Sequence, residues 1–331
     1  MINRDLIRIK VVQLLYANQI NPDETYLKKT RKEDKEKSLI GKSLSAAFEL
    51  YCWLLQLIVE LHSYAEKRIE AGMSKRMATQ EDLNPNRRFI DNRFALQLAG
   101  NKQLKECVKK FHISWAEDAD LIRTLYKNIC NSPEYKDYMQ GKIPADAPSA
   151  DMDAYSLDKF FWRQIIKKIL ATSEALGDSL EEMNIYWNDD AETILSFVEK
   201  TVKRFDENNG ADQVLLPLYK DESDEDFAYD LYKYALQGRD QYMQMIDGTV
   251  KNWKIERMTM MDLSIMQAAI AELTHFPSIP VPVTLNEYIE ISKYYSTSKS
   301  YEIVNGILDS VVKQLSAKGQ LSKVSDMKNN E

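Results

Sequence analysis

The sequence predicts an all-α protein: a helical bundle whose first helix is separated from the rest by a large all-helical insertion. Three observations carry that prediction. Ten glycines and nine prolines in 331 residues are few breakers for such a length. Apolar residues recur with a 3.6-residue period over most of the chain. The stretch from Trp253 to Leu315 holds the clearest helical signals, beginning with a helix over about Ile255 to Thr274. That helix has one apolar stripe at Met258, Met261, Ile265 and Ala268 and another at Leu263, Met266, Ile270 and Leu273. A helix apolar on two sides belongs in the middle of a bundle.

Taken in order, Ile2 to Ile20 forms the first helix, with Arg4 and Arg8 on one face at i, i+4. Lys10 lies about 200° round from Arg8 at 100° per residue, so it does not join that pair. Lys28 to Lys37 carries six basic and three acidic residues and reads as a solvated linker. Leu39 to Ala71 is a strong amphipathic helix in which His62 packs rather than catalyses. After the Asn84-Pro85-Asn86 loop, seven basic residues, Arg87, Arg88, Arg93, Lys102, Lys105, Lys109 and Lys110, stand against Asp91 and Glu106. Phe89, Phe94 and Phe111 interleave with them and are expected in the core, although such rings can stack on bases. Trp115 to Met139 is a helix or helix pair, Lys142 to Ser156 a loop, and Leu157 to Ala175 and Ala191 to Phe205 are helices. Asp206 to Asp230 sets nine carboxylates against Lys220 and marks the seam where the insertion ends. Asp226 to Thr249 returns to helix.

Pro277, Pro280 and Pro282 terminate the central helix, since proline lacks the donor N–H and clashes with the preceding turn. Thr284-Leu285-Asn286-Glu287 reads as a capping box opening a helix to about Tyr295. Ser296-Thr297-Ser298 breaks the pattern. A last helix carries Ile303, Val304, Ile307, Leu308, Val311, Val312 and Leu315 on one regular face. The divisions that follow are 1–20 first helix, 21–38 charged linker, 39–222 insertion, 223–318 remainder of the bundle and 319–331 tail.

Net charge is −7, unusual for a stand-alone nucleic-acid binder, whose affinity rests on phosphate contacts. The sum matters less than its distribution, because basic residues gathered on one face can still bind RNA. The densest apolar run, Ala46 to Leu61, is broken by Glu49, Gln56 and Glu60, which argues against a membrane span. With no signal-peptide core after Met1, a cytoplasmic location is expected. Cys52, Cys107 and Cys130 have neither disulfide nor zinc spacing and read as small apolar residues. No phosphate cradle or nucleophile motif occurs, so no catalytic residue, metal ligand or cofactor is expected.

The run Trp253-(x)3-Arg257, Asp262, Ala269-(x)2-Glu272-Leu273, Pro280-Val281-(x)4-Asn286-Glu287, Lys293-Tyr294 and Val304-Asn305-Gly306-(x)-Leu308-Asp309 resembles the carboxy-terminal half of the NusB family of bacterial transcription antitermination factors. Arg4-(x)3-Arg8-(x)4-Gln13-(x)-Leu15-Tyr16 resembles the first helix of that family. The resemblance implies an RNA-binding factor that pairs with the small-subunit ribosomal protein also called NusE on boxA-like RNA and helps RNA polymerase elongate through terminators. It places Arg4 and Arg8 at RNA, with Lys10 a further candidate, and Tyr16 and Glu272 at the partner. Asp5 and Leu6 stand where the family carries further basic residues, which predicts weak RNA affinity for the chain alone. The competing expectation is a helical protein–protein scaffold. A NusB-like domain also occurs fused to an RNA cytosine methyltransferase, but the glycine-rich cofactor turn and catalytic cysteines of that enzyme are missing from this sequence. Asn286, Glu287, Asn305 and Gly306 are expected to be structural, with Gly306 needed for a close helix contact.

Overall fold

The computed structural model describes residues 1–21, 38–149, 151–187, 189–221, 223–249 and 258–321. The charged run Lys28 to Lys37, together with Trp253 and Arg257 of the family pattern, lies outside them. The described residues are helical apart from turns and one isolated bridge between Ile2 and Tyr219. In chain order the helices are α1 (Arg4–Ile20), α2 (Leu39–Met73), α3 (Gln80–Leu83), α4 (Arg93–Gly100), α5 (Lys102–Phe111), α6 (Ala119–Asn131), α7 (Pro133–Met139) and α8 (Ala154–Ile165). They continue with α9 (Glu174–Met183), α10 (Ala191–Arg204), α11 (Ser223–Gln237), α12 (Arg239–Thr249), α13 (Met260–His275), α14 (Val281–Tyr295) and α15 (Ser300–Ala317).

They pack as two compact units. One takes Ile2–Ser45 with Leu218–Glu331, and the other takes Met1 with Ala46–Pro217.

In the first unit α13 is the axis. Ile265, Met266, Ala268, Ala269, Ile270, Ala271 and Leu273 are wholly buried, as a helix apolar on two sides requires, and each large side chain among them stabilises by about 1.5–3 kcal/mol. α1, α11, α12, α14 and α15 pack around it. The alanines keep it thin enough for that many neighbours. Two inward-facing amide groups find acceptors nearby: Gln267 Nε2 donates to the Ala235 carbonyl at 2.8 Å, and Gln19 Nε2 donates to Ser264 Oγ at 2.8 Å. Thr259 caps α13 by accepting from the Asp262 amide, and the Asp262 carboxylate accepts from Ser296 Oγ at 2.6 Å and Ser300 Oγ at 3.2 Å. The serine break between α14 and α15 is thereby tied to the start of the axis. At the chain start, Asn3 caps α1 by accepting from the Leu6 amide. Ile2 donates to the Leu218 carbonyl and accepts from the Lys220 amide, both at 2.8 Å.

Two expectations for this unit need correction. Thr284 and Glu287 do not form a capping box, because α14 begins at Val281 with proline in its first turn. Proline there gives up no hydrogen bond, since the N–H it lacks has no partner inside the helix. Thr284 is therefore interior to the helix and turns its hydroxyl elsewhere. Gly306 makes no close helix contact either: a Cβ added to it would meet open space.

In the second unit the portion of α2 from Ala46 onward supplies the core, with Leu50, Leu54, Leu55, Leu57, Ile58 and Leu61 wholly buried. By length and composition α2 could cross a membrane, but most of its apolar window is already buried within the fold. Trp53 packs edge-on to Trp115 and Trp187 at 5.0 and 6.0 Å, and the Trp187 indole donates to the Ala46 carbonyl. His62 hydrogen-bonds the Ile90 carbonyl at 2.7 Å, a packing role. Phe89 and Phe94 are buried, Phe89 among Tyr126, Tyr135, Phe161 and Trp162, so these two rings have no face free for bases. The Trp115 to Met139 segment is a helix pair split at Ser132, which caps α7 with Pro133 in its first turn. α8 runs on through a π-helical turn at Ile166–Leu170.

Candidate nucleic-acid and partner interface

The residues singled out in α1 and α13 come together in one place, with a geometry the spacing did not announce. Arg8 is almost wholly buried, 3% exposed, and Glu272 is 0% exposed. They form a two-pronged ion pair in which Arg8 Nε donates to Glu272 Oε2 at 2.8 Å and Nη2 donates to Oε1 at 3.1 Å. The planar fork of arginine matches a carboxylate in this way, which makes the pair directional as well as strong.

Two hydroxyls from α14 complete the carboxylate shell: Thr284 Oγ1 donates at 2.8 Å and Tyr288 OH at 3.3 Å. The Thr284 hydroxyl that sequence assigns to a cap serves here instead. Arg8 Nη1 lies 3.6 Å from Glu287 and 3.5 Å from Asp5. Burial works to lower the pKa of Arg8 but is outweighed by Glu272, so the guanidinium is held above its ordinary value. Burial and the same carboxylate push Tyr288 well above the usual phenol. Glu287 is raised too, first by burial and then by the neighbouring Asp5.

Arg4, one turn earlier, stays at the surface with its side chain 38% exposed. Its guanidinium lies 4.9 Å over the Phe227 ring, its Nε donates to Asp224 at 3.3 Å and its Nη2 donates to Ser223 at 3.4 Å. Phe227 meets Phe276 edge-on at 5.0 Å, and Tyr234 stacks on His275 at 4.0 Å with rings 7° apart. Burial lowers the His275 pKa.

Lys10 is 1% exposed, on a flank of α1 away from the arginine pair as its helical angle requires. Tyr16 is half-buried. The structure thus brings Arg4, Arg8 and Glu272 into one cluster and leaves Lys10 outside it. The direct contacts expected of Arg8 and Lys10 with RNA, and of Glu272 with a partner, meet an obstacle in this packing: their charged groups are enclosed, and those of Arg8 and Glu272 hold each other. Sequence reasoning missed Thr284, Tyr288 and Phe227. The one signal that could have found the first two is the i, i+4 spacing of Thr284 and Tyr288, which puts two hydroxyls on the face of α14 that meets α13.

This arrangement defines a class of protein: an all-helical module in which an amino-terminal helix is clasped to a buried central helix by a satisfied ion pair. The NusB family model matches residues 163–313, from α8 into α15. A transcription antitermination protein NusB of Salinibacter ruber is 35% identical over 132 residues, covering 38% of this chain and 82% of the relative. That of Geobacter sulfurreducens is 41% identical over 111 residues, or 32% and 80%. That of Dictyoglomus thermophilum is 44% identical over 87 residues, or 26% and 60%. The chain belongs to the NusB family. No solved structure matches it significantly.

Proposed function

We propose that the chain is an RNA-binding transcription antitermination factor that pairs with a NusE-type small-subunit ribosomal protein on boxA-like RNA and acts on the RNA polymerase elongation complex. The observation that carries this reading is the extent of the likeness. The chain spans 82% of a relative named as a transcription antitermination protein, and the clasp residues Arg8 and Glu272 lie in the segments on which the resemblance rests.

In this reading the role is binding rather than catalysis, and it is exercised in the cytoplasm. The unit built from α1 and α11–α15 is the core of the family module, and residues 39–222 are an insertion into it, with the family match reaching back into its last part as far as residue 163. Arg4 supplies the charge that meets RNA phosphate, backed by the Phe227 ring. Arg8 acts by fixing the angle of α1 through Glu272, and Tyr16 offers a half-buried ring to the partner. One arginine neutralises one phosphate, so the partner must bring most of the positive charge.

A scaffold with little RNA affinity is the second reading, favoured by the burial of Arg8 and Lys10 and by the net charge of −7. Gel retardation of boxA-containing RNA, with and without the NusE-type protein, separates the two. Weak retardation by the chain alone and strong retardation with the partner supports the antitermination reading. Capture of the protein partner with no retardation of RNA in either lane supports the scaffold.

A further inference from the structure

Two of the three cysteines, far apart in sequence, are brought face to face in the unit that contains Ala46–Pro217. Cys52 lies on α2, wholly buried. Cys107 lies on α5 and is half-exposed. Each thiol lies within the electrostatic reach of the other. An independent contact fixes the register: the Phe48 and Phe111 rings meet edge-on at 6.2 Å. Phe48 is one turn before Cys52, and Phe111 is one turn after Cys107. Residues four apart share a helix face, so the two contacts together make α2 and α5 an antiparallel pair with stacked Phe–Phe and Cys–Cys rungs.

We infer that Cys52 and Cys107 form a redox modification site, with Cys107 the thiol that reacts with hydrogen peroxide and Cys52 the thiol that resolves it to a disulfide.

The asymmetry of the pair assigns the roles. Cys107 has solvent access and Cys52 has none. The interaction with Cys52 and the charge of Lys110, one turn along α5, favour the Cys107 thiolate, opposed by partial burial and by Glu106. The interaction with Cys107, burial and the nearby Glu49 keep Cys52 protonated. Redox-responsive cysteines are accessible, thiolate-prone and set beside a resolving cysteine.

In the first step the Cys107 thiolate attacks one peroxide oxygen, the O–O bond breaks, and the departing hydroxide takes a proton to become water. Cys107 is then a sulfenic acid. In the second step Cys52 gives up its proton and attacks the Cys107 sulfur, the S–O bond breaks, and the hydroxide leaves with that proton as a second water. Two thiols are oxidised to one disulfide and one peroxide is reduced. In a reducing compartment such a bond is transient.

Cys130 is the internal control. It is also half-exposed, but it contacts the tyrosines Tyr126 and Tyr135 rather than a thiol. The full chain is treated with hydrogen peroxide at neutral pH, blocked with iodoacetamide and mapped by mass spectrometry without reduction. The expected product is a peptide pair linked through Cys52 and Cys107, lighter by two hydrogens, formed about tenfold faster than any oxidation of Cys130. In Cys52→Ala, dimedone should trap the sulfenic acid on Cys107. Cys107→Ser, a change at a half-exposed position, should abolish the linked pair and keeps the test decisive if Cys52→Ala does not fold. Absence of the linked pair in the parent, or oxidation of Cys130 as fast as Cys107, overturns the assignment.

Discussion

Replacing Glu272 with glutamine removes one charge and keeps the shape, which makes it the sharpest probe of the clasp between α1 and α13. The carboxylate accepts four hydrogen bonds, two from Arg8 and one each from Thr284 and Tyr288. A carboxamide offers one acceptor oxygen and one donor group. Whichever way it is turned, its NH2 faces either Arg8 Nη2 with Thr284 or Arg8 Nε with Tyr288. The hydroxyl can rotate to accept, but the guanidinium cannot. One charge-assisted bond, worth about 1.5–3 kcal/mol, is therefore lost, and the buried Arg8 is left without its counter-charge. Breaking a buried pair from one side costs about 3–5 kcal/mol, and that is the destabilisation expected. Two units need not unfold together, so amide hydrogen exchange of α1 and α13 across a urea series is the suitable assay. The double replacement Arg8→Met with Glu272→Leu should recover most of the loss, because a packed apolar pair can replace a buried ion pair at little cost. A Glu272→Gln change below about 1 kcal/mol, the value of an exposed pair, would refute the reasoning.

Three further outcomes follow from particular residues. Gly306 lies mid-helix in open space, so Gly306→Ala should stabilise the unit by up to about 1 kcal/mol, read as a rise in its urea midpoint; an unchanged or lower midpoint would mean that the glycine answers a contact. His275 has its pKa lowered by burial beside Tyr234, so the unfolded chain binds its proton first. The stability it contributes is complete above about pH 6.5 and is lost as pH falls through the folded value; His275→Phe should flatten that acid dependence, and an identical pH profile would count against the assignment. Arg4→Ala should reduce the slope of log affinity against log salt for single-stranded boxA RNA by about 0.7 in the presence of the partner, and an unaltered slope would place the phosphate contact elsewhere.

Much of the fold was legible because it depends on periodicity. Two apolar stripes placed α13 at the centre, and the regular face of the last helix placed α15 against it. The capping box was misread because Thr284 and Glu287 have the right spacing for one, whereas the first-turn proline starts α14 earlier. Periodicity assigns residues to faces, but it does not say which charges meet across a sequence separation of 264, as Arg8 and Glu272 do. The family pattern marked both residues without revealing that they bind each other. The thiol pair was invisible for the same reason, since cysteine spacing along a chain reports only local ligand or disulfide patterns.

Transcription in vitro tests the central claim most directly. RNA polymerase is run on a template carrying boxA upstream of a terminator, with the NusE-type protein present and this chain added or left out. Adding the chain should raise the fraction of transcripts passing the terminator, and the gain should disappear when boxA is scrambled. An unchanged read-through fraction, with the chain folded and the partner bound, would contradict that claim.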